Sequence, residues 1–160
     1  TTLFRSDIGV SNKEAKHYIE SYLAHYSGVD SYMKNVVEKA NADGYVETMF
    51  GRRRNLPELT SSKHMIRAFG ERVARNMPIQ GTAADIIKIA MIKVDERMKA
   101  ENLRARLVLQ VHDELIVEAP QDESMRVALI VQEEMENAVK MSVPLTADAA
   151  IGRTWYDAKG

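Results

Sequence analysis

The stretch LVLQVHDELIVEAP, residues 107–120, carries the strongest indication of the fold. Two β-branched and leucine-rich segments, RLVLQV and ELIVEA, each have the length of a strand, and only His112 and Asp113 separate them. This spacing predicts an antiparallel hairpin over residues 106–118 with a two-residue turn. Because both arms are apolar on both faces, we expect the hairpin to lie centrally in a sheet and its tip to be partly desolvated.

The acidic residues at the tip of this hairpin indicate a cation site. A partly desolvated Asp113 carboxylate needs a compensating charge, and a divalent cation is the simplest source of one. Oxygen ligands without a histidine pair or a cysteine suit Mg²⁺ or Mn²⁺ better than zinc. We expect Asp113 to bind the ion, Glu114 to bind it directly or through water, and His112 to donate to a substrate oxygen. The simpler alternative is an exposed turn, in which aspartate is a common residue.

The composition is that of an ordinary globular domain. The chain has 160 residues, 45% of them hydrophobic and 28% charged, which suffices for a substantial core. It contains no cysteine, which excludes disulfides, cysteine zinc sites and thiol catalysis and agrees with a reducing compartment. The opening TTLFRSDIGV lacks a signal-peptide pattern, and no apolar run approaches the ~20 residues of a membrane span.

Charge is distributed unevenly along the chain. Residues 51–110 hold 13 of the 22 lysines and arginines but only 6 of the 23 aspartates and glutamates. A basic segment within an otherwise acidic chain predicts a surface for an anionic partner, although a solvated helix face would have the same composition. Three adjacent arginines, residues 52–54, belong to this segment. We expect one or two of them to bind phosphates, or all three to form a charge cluster on an edge strand.

The first part of the chain predicts a helical hairpin followed by a β-hairpin. Residues 11–28 begin with serine and glutamate in capping-box spacing and continue with apolar residues at helical intervals, and a second amphipathic pattern covers residues 29–44. The stretch GYVETMFGRRRNLP favours a short β-hairpin near residues 45–56. We expect the tyrosines of the first helical pattern to be core residues: Tyr18, Tyr22 and Tyr26.

Three polar residues form a separate pattern on the helices that follow. Residues 61–77 predict a helix that Pro78 ends or bends, and a second long helix comes after it. Arg72, Asn76 and Gln80 are spaced four apart, so a roughly continuous helix places them on one face. Donors on such a face could bind the minor-groove acceptors that every base pair presents in nearly the same place. They would then check duplex shape without reading sequence. The simpler alternative is three surface residues around a proline bend.

The last part of the chain completes an α+β prediction. VPLTADAAIG alternates apolar residues in the manner of a strand, so residues 143–151 should join the hairpin 106–118 in a small antiparallel sheet of three strands. A helix over about residues 122–140 should pack on this sheet through an apolar stripe that contains Val127. The predicted fold class is therefore α+β and helix-rich, with this sheet and the short hairpin near 45–56.

Several motifs of the sequence resemble family A DNA polymerases. QVHDELIVEAP resembles the carboxylate-bearing palm hairpin of that family, and ERVARNMPIQGTAADIIKIAM resembles the helices that precede it. GYVETMFGRRRNLP and the closing GRTWYDAK are also similar to that family. The motifs stand in family order and cover nearly the whole chain from about Asp7. The resemblance implies a fingers-derived helical part with the DNA-contacting helices in residues 1–100, and the last part of the palm in residues 101–160.

The resemblance implies template-directed DNA synthesis, in which dNTP is the substrate and a nucleotide is transferred to a primer 3′ end. It implies that Asp113 binds the two catalytic Mg²⁺ ions, with Mn²⁺ as a possible substitute, and that Glu114 assists at the same site. Phosphoryl transfer depends mostly on positioning and charge neutralisation, which fits a carboxylate site. The resemblance further implies that Arg72, Asn76 and Gln80 contact the primer–template near its growing end. It also implies that His112 lies near the primer terminus.

The chain also departs from the family pattern. A second metal-binding aspartate and a nucleotide-binding fingers helix are not found in this sequence, and TTLFRS matches the family poorly. We therefore expect a C-terminal fragment that is inactive alone, with primer–template DNA and the N-terminal part of the same polymerase as its partners. The resemblance implies a bacterial, cytoplasmic and nucleoid-associated protein without a membrane partner. The alternative is a non-catalytic fragment that binds nucleic acid or serves as a scaffold.

Overall fold

The computed structural model describes residues 9–159, and the chain divides into two compact units. The first unit runs to Ile79 and the second begins at Gln80. Each unit buries an apolar cluster of its own. The described residues form helices and two antiparallel two-stranded sheets, which confirms the helix-rich α+β class. The assignment of residues 1–100 to the fingers and 101–160 to the palm stays a prediction.

The first unit contains the two predicted amphipathic helices. Helix α1 (Asn12–His25) starts at a capping box, in which the Glu14 backbone N–H donates to the Ser11 hydroxyl and the Ser11 backbone N–H donates to the Glu14 carboxylate. Helix α2 (Ser27–Asp43) ends at Gly44, whose φ of 77° is a left-handed conformation that glycine adopts readily. Both helix predictions are confirmed.

The tyrosines of α1 are not core residues, so this prediction was wrong. Tyr18, Tyr22 and Tyr26 expose 51%, 56% and 50% of their surface, whereas Ala15 is fully buried. The rings of Tyr22 and Tyr26 lie against each other with centroids 4.8 Å apart. The inward stripe of the helix passes through Ala15, and one neighbouring helix does not also cover the tyrosine row beside it.

The predicted short β-hairpin follows α2. Strand β1 (Tyr45–Glu47) pairs antiparallel with strand β2 (Arg53–Asn55). The guanidinium carbon of Arg53 lies 4.4 Å from the centroid of the Tyr45 ring, and its Nε lies 3.2 Å from the Glu47 carboxylate. Arg53 is therefore engaged inside the hairpin by a cation–π contact and an ion pair.

The core of the first unit forms where α2, the hairpin and a 3-10 helix (Pro57–Thr60) meet the next helix. Gly70 on that next helix allows the backbones to approach. An added Cβ at Gly70 would lie 3.0 Å from Glu58 Cβ and 3.1 Å from Leu59 Cδ2. The buried members of this core are Ala40, Val46, Leu56, Leu59 and Ala74.

The long helix α3 (His64–Ala100) contains Pro78 in its interior. Of the two outcomes predicted for Pro78, a helix end or a bend, the helix end is wrong, and the second helix expected after Pro78 is the continuation of α3. A proline inside a helix costs roughly 3 kcal/mol, because it removes a backbone hydrogen bond and crowds the preceding turn. Burial of apolar residues of α3 offsets this cost in each unit, with Ala74 in the first core and Val94 in the second.

The second unit contains the hairpin predicted over residues 106–118. Strand β3 (Arg106–Val111) pairs antiparallel with strand β4 (Glu114–Glu118), and two residues form the turn between them. Helix α4 (Ser124–Glu136) follows and carries Val127 into the core, so the predicted hairpin and helix are both confirmed. The buried core residues of this unit are Val94, Met98, Ala105, Val127 and Ile130.

The hairpin is covered on one face only, whereas both faces were expected to be buried. Leu107 and Val117 pair across the strands and pack against the core. Val108 and Leu109 expose 51% and 46% of their surface. The register shifts between Leu107 and Leu109, as at a β-bulge. A two-stranded sheet with one packed layer leaves its second face in solvent.

Residues 143–151 do not form the predicted third strand; the sheet containing β3 and β4 has two strands among the described residues. Pro144 has no N–H to donate to a strand ladder. Ala147 donates its backbone N–H to the Glu136 carboxylate over 3.2 Å. The alternating apolar residues thus belong to an irregular segment whose backbone bonds to a side chain.

The described chain ends in a short helix, α5 (Trp155–Lys159). Between residues 9 and 159, no helix combines the length and the apolar character that a membrane span requires.

Candidate functional site

The turn between β3 and β4 presents three of the predicted site residues together. His112 and Asp113 are exposed, and Glu114, the first residue of β4, is partly exposed. His112 has a φ of 54°, which is uncommon for a residue other than glycine. Gln110 stabilises the turn by donating its side-chain N–H to the His112 carbonyl oxygen over 2.5 Å. The tip of the hairpin therefore carries an imidazole and two carboxylates on consecutive residues.

Asp113 lies in solvent, in contrast to the predicted desolvation. It is the second residue of the turn, and no element of the second unit covers it. Among residues 9–159, the Asp113 carboxylate has no ion-pair or hydrogen-bond partner. Water solvates an exposed carboxylate, which therefore does not need a compensating ion. The predicted desolvation of Asp113 was therefore wrong, but its carboxylate is free to bind an external cation.

Glu114 has a partner that was not predicted. Its Oε1 lies 3.1 Å from Lys159 Nζ, and the same Nζ lies 5.4 Å from the centroid of the Trp155 ring. The ion pair joins the hairpin turn to helix α5. No local sequence pattern relates a lysine of the last helix to a turn far earlier in the chain, so Lys159 could not be predicted as this partner.

An open cavity in the second unit adjoins this turn. Its volume is about 1260 Å³, and it is lined by Gln80, the residues of the turn, strand β4 and much of the segment 145–159. The carboxylates of the turn lie on one part of its wall, and apolar residues of α4 such as Val131 form another. The arrangement combines negative charge with an apolar surface in one concave region of the unit.

The turn offers ligand atoms of the type that Mg²⁺ or Mn²⁺ binds. Both ions prefer oxygen ligands, and Asp113 and Glu114 supply carboxylate oxygens. Within the part of the chain that the structure describes, no three histidine, aspartate or glutamate side chains are grouped to hold a metal ion. Asp113 and Glu114 therefore offer part of a coordination shell, and the remaining ligands must come from water or from outside residues 9–159.

The polar residues of α3 are exposed. Arg72 and Asn76 lie one turn apart on the same face of the helix in the first unit, and Gln80 opens the second unit. The guanidinium carbon of Arg72 lies 5.8 Å from the centroid of the Phe69 ring. In the described range, none of the three polar side chains donates a hydrogen bond to another residue. Their donors remain available to an external acceptor.

Comparisons with known proteins agree with these features. The family model for DNA polymerase family A matches residues 2–157. The chain is 53% identical over 153 residues to DNA polymerase I of Bacillus caldotenax and 52% identical over 153 residues to DNA polymerase I of Geobacillus stearothermophilus. These matches cover 96% of this chain but only 17% and 18% of the two relatives. The solved POL domain of Pol1 from M. smegmatis, in complex with DNA primer-template and dNTP, matches with a TM-score of 0.92 and 46% identity over 98% of this chain and 28% of that one.

Proposed function

The chain belongs to DNA polymerase family A, and we propose that it is the C-terminal part of an enzyme that synthesises DNA on a template. The observation that carries this proposal is the pair of adjacent carboxylates, Asp113 and Glu114, at the tip of a hairpin beside an open cavity. Nucleotidyl transfer to a primer 3′ end depends on positioning and on neutralising phosphate charge. In this proposal residues 1–100 belong to the fingers and residues 101–160 to the palm.

Asp113 and Glu114 are the residues that would hold Mg²⁺, or Mn²⁺ in its place. When bound, the metal neutralises phosphate charge and makes the primer hydroxyl a better nucleophile. Asp113 can present its oxygens at once, because it has no internal partner within the described residues. His112, the adjacent residue of the turn, donates to an oxygen at the primer terminus.

Arg72, Asn76 and Gln80 contact the primer–template in this proposal. All three are exposed, and their donors suit the minor-groove acceptors that every base pair presents in nearly the same place. The M. smegmatis protein was solved with DNA primer-template and dNTP, which supports the same classes of ligand for this chain. Contacts of this kind hold a duplex of any sequence.

The N-terminal part of the same polymerase is the second partner in this proposal. The chain spans less than a fifth of the length of the two DNA polymerase I relatives. The two carboxylates of the turn supply only part of a metal coordination shell. The remaining protein ligands and the nucleotide-binding helix come from the rest of the enzyme, so the chain by itself should not extend a primer.

The test is a chimera in which this chain replaces the matching segment of the Bacillus caldotenax DNA polymerase I. The chimera should extend a primer, and Asp113→Ala should abolish extension while leaving DNA affinity, measured by fluorescence anisotropy, largely unchanged. Asp95→Ala is the matched control, because Asp95 is an aspartate of α3 whose partner is Lys99, one turn along the same helix. An active Asp113→Ala chimera, or strong extension by this chain alone, would show that the chemistry lies elsewhere.

The DNA contacts can be tested in the same chimera. Arg72→Ala and Gln80→Ala should each weaken binding of all primer–templates alike, by roughly 1–3 kcal/mol by analogy with base-edge contacts. Arg75→Ala is the control, since the Arg75 guanidinium pairs with Glu71 at 3.2 Å. A loss confined to particular base sequences would contradict duplex binding through shared minor-groove acceptors.

A non-catalytic role in binding nucleic acid is the second candidate, and the exposed donors of α3 favour it. DNA binding does not require the carboxylates of the turn. A chimera that binds primer–template but extends it equally well with and without Asp113 would support this candidate.

A further inference from the structure

The C-terminal helix α5 has a defined position in the second unit. The Asp157 backbone N–H donates to the Thr154 hydroxyl over 3.2 Å, and the Asp157 carboxylate accepts from the Thr154 backbone N–H over 3.1 Å. Gly152 lies against the helix, since an added Cβ would stand 2.5 Å from the Ala158 backbone nitrogen. A five-residue helix has little stability alone, so these contacts fix the backbone from which Lys159 extends.

Lys159 connects this helix to the hairpin turn. Its Nζ lies 3.1 Å from Glu114 Oε1 and 5.4 Å from the centroid of the Trp155 ring. Both contacts are attractive for an ammonium group, the first by charge and the second by the ring quadrupole. Asp113, the neighbouring carboxylate, has no internal partner in the described part of the chain. Of the two adjacent carboxylates, Glu114 alone is thus neutralised by this unit.

We propose that Lys159 is a positioning residue that competes with a divalent cation for the Glu114 carboxylate. This inference rests on the proposed role of Glu114 as a cation ligand. Without the cation, Lys159 holds Glu114 towards α5 and reduces the repulsion between Glu114 and Asp113. When the cation binds, the ion pair between Lys159 and Glu114 breaks.

The exposure of the pair suits such an exchange. The Lys159 side chain is 62% exposed and that of Glu114 is 40% exposed. An ion pair in this setting is weak, because water and salt screen it. A lysine ammonium is a compact, hydrated charge on a flexible stem and is easily displaced by a divalent ion. Helix α5, through Lys159, would therefore raise the cation concentration at which the turn is occupied.

The test measures cation binding to the 160-residue chain directly. Mn²⁺ is titrated into the isotope-labelled chain and followed by NMR. Paramagnetic broadening of the backbone amide signals of residues 112–114 gives the apparent Kd. In Lys159→Met the Kd should fall by about two- to fivefold, the size expected for removing an exposed ion pair. Lys159→Arg keeps the positive charge of the side chain, so its apparent Kd for Mn²⁺ should stay near that of the unmodified chain. Lys99→Met removes the same charge from an exposed lysine paired with Asp95 and should leave the Kd unchanged.

Trp155 supplies a second signal, because it is the only tryptophan of the chain. Its fluorescence should change as the cation binds and Lys159 shifts, and Glu114→Gln should remove this response. An unchanged or higher Kd in Lys159→Met, with broadening still centred on the turn, would overturn the competition but leave the cation site. Absence of broadening at the turn in the unmodified chain would overturn cation binding by Glu114, and the competition with it.

Discussion

Replacing Gly152 by alanine should release helix α5 from its packed position. An added Cβ at Gly152 lies 2.5 Å from the Ala158 nitrogen, 2.9 Å from the Asp157 carbonyl carbon and 2.9 Å from the Thr154 carbonyl oxygen. Ordinary contacts between such atoms are ~3.5–4.0 Å. All three neighbours are backbone atoms, so no side-chain rotation relieves the overlap. The helix must move away.

The expected size of the effect follows from this overlap. Overpacking of a close contact costs about 1–3 kcal/mol, and each ~1.4 kcal/mol changes an equilibrium tenfold. The ratio of docked to undocked α5 should therefore fall by about one to two orders of magnitude. Since α5 has no fully buried residue and a five-residue helix is unstable alone, it should unfold locally. The cores of both units should keep their free energy of unfolding.

Fluorescence of Trp155 and amide hydrogen exchange of residues 155–159 measure this release. Trp155 is 44% exposed in the docked helix, so its emission should shift to longer wavelength and the amides should exchange faster. Gly28→Ala is the matched control, because an added Cβ at Gly28 in α2 meets nothing within 4 Å. That change should stabilise the first unit by up to about 1 kcal/mol without affecting Trp155. Unaltered Trp155 emission and amide exchange in Gly152→Ala would show that the packing of α5 does not depend on the missing side chain at position 152.

Two further predictions concern the stability of the second unit. Ile130→Ala should lower the free energy of unfolding, measured in urea, by about 2–5 kcal/mol, because Ile130 is fully buried. Leu129→Ala on the same helix is the control and should cost less than about 1 kcal/mol, because Leu129 is 48% exposed. Hydrogen bonds from Arg126 lower the pKa of the Glu101 carboxyl below its usual 4.5. A folded-state pKa below the unfolded value gives stability that is present above pH 4.5 and is lost as the pH falls through the folded pKa. Arg126→Ala should reduce this acid-dependent loss in urea titrations at several pH values; an equal loss in both chains would contradict the assignment.

Local patterns were sufficient to predict most secondary structure of this protein. The two-residue separation between apolar runs predicted the hairpin of β3 and β4, because a tight turn and strand pairing are governed by neighbouring residues. The capping box at Ser11 and the glycine at position 44 marked helix ends for the same reason. The motifs within these elements also carried the resemblance to the family to which the chain belongs.

The wrong predictions concern features that depend on packing. The local cost of Pro78 predicted either a helix end or a bend, and burial on both sides of Pro78 decides against the end. The tyrosines of α1 and the outer face of β3 are apolar in sequence and exposed in structure, because burial depends on whether another layer covers them. The alternation in residues 143–151 resembled a strand, but a strand also requires a partner for its backbone hydrogen bonds.

At the candidate site, the sequence indicated which side chains could carry the chemistry, whereas their surroundings depend on how distant segments of the chain pack together. The carboxylates of Asp113 and Glu114 could be named from one short motif. The exposure of Asp113 and the contact of Glu114 with Lys159 could not. Solvation and ion pairing depend on distances between atoms in space. The distance between Glu114 and Lys159 is set here by the packing of α5 against Gly152, far along the chain from the turn.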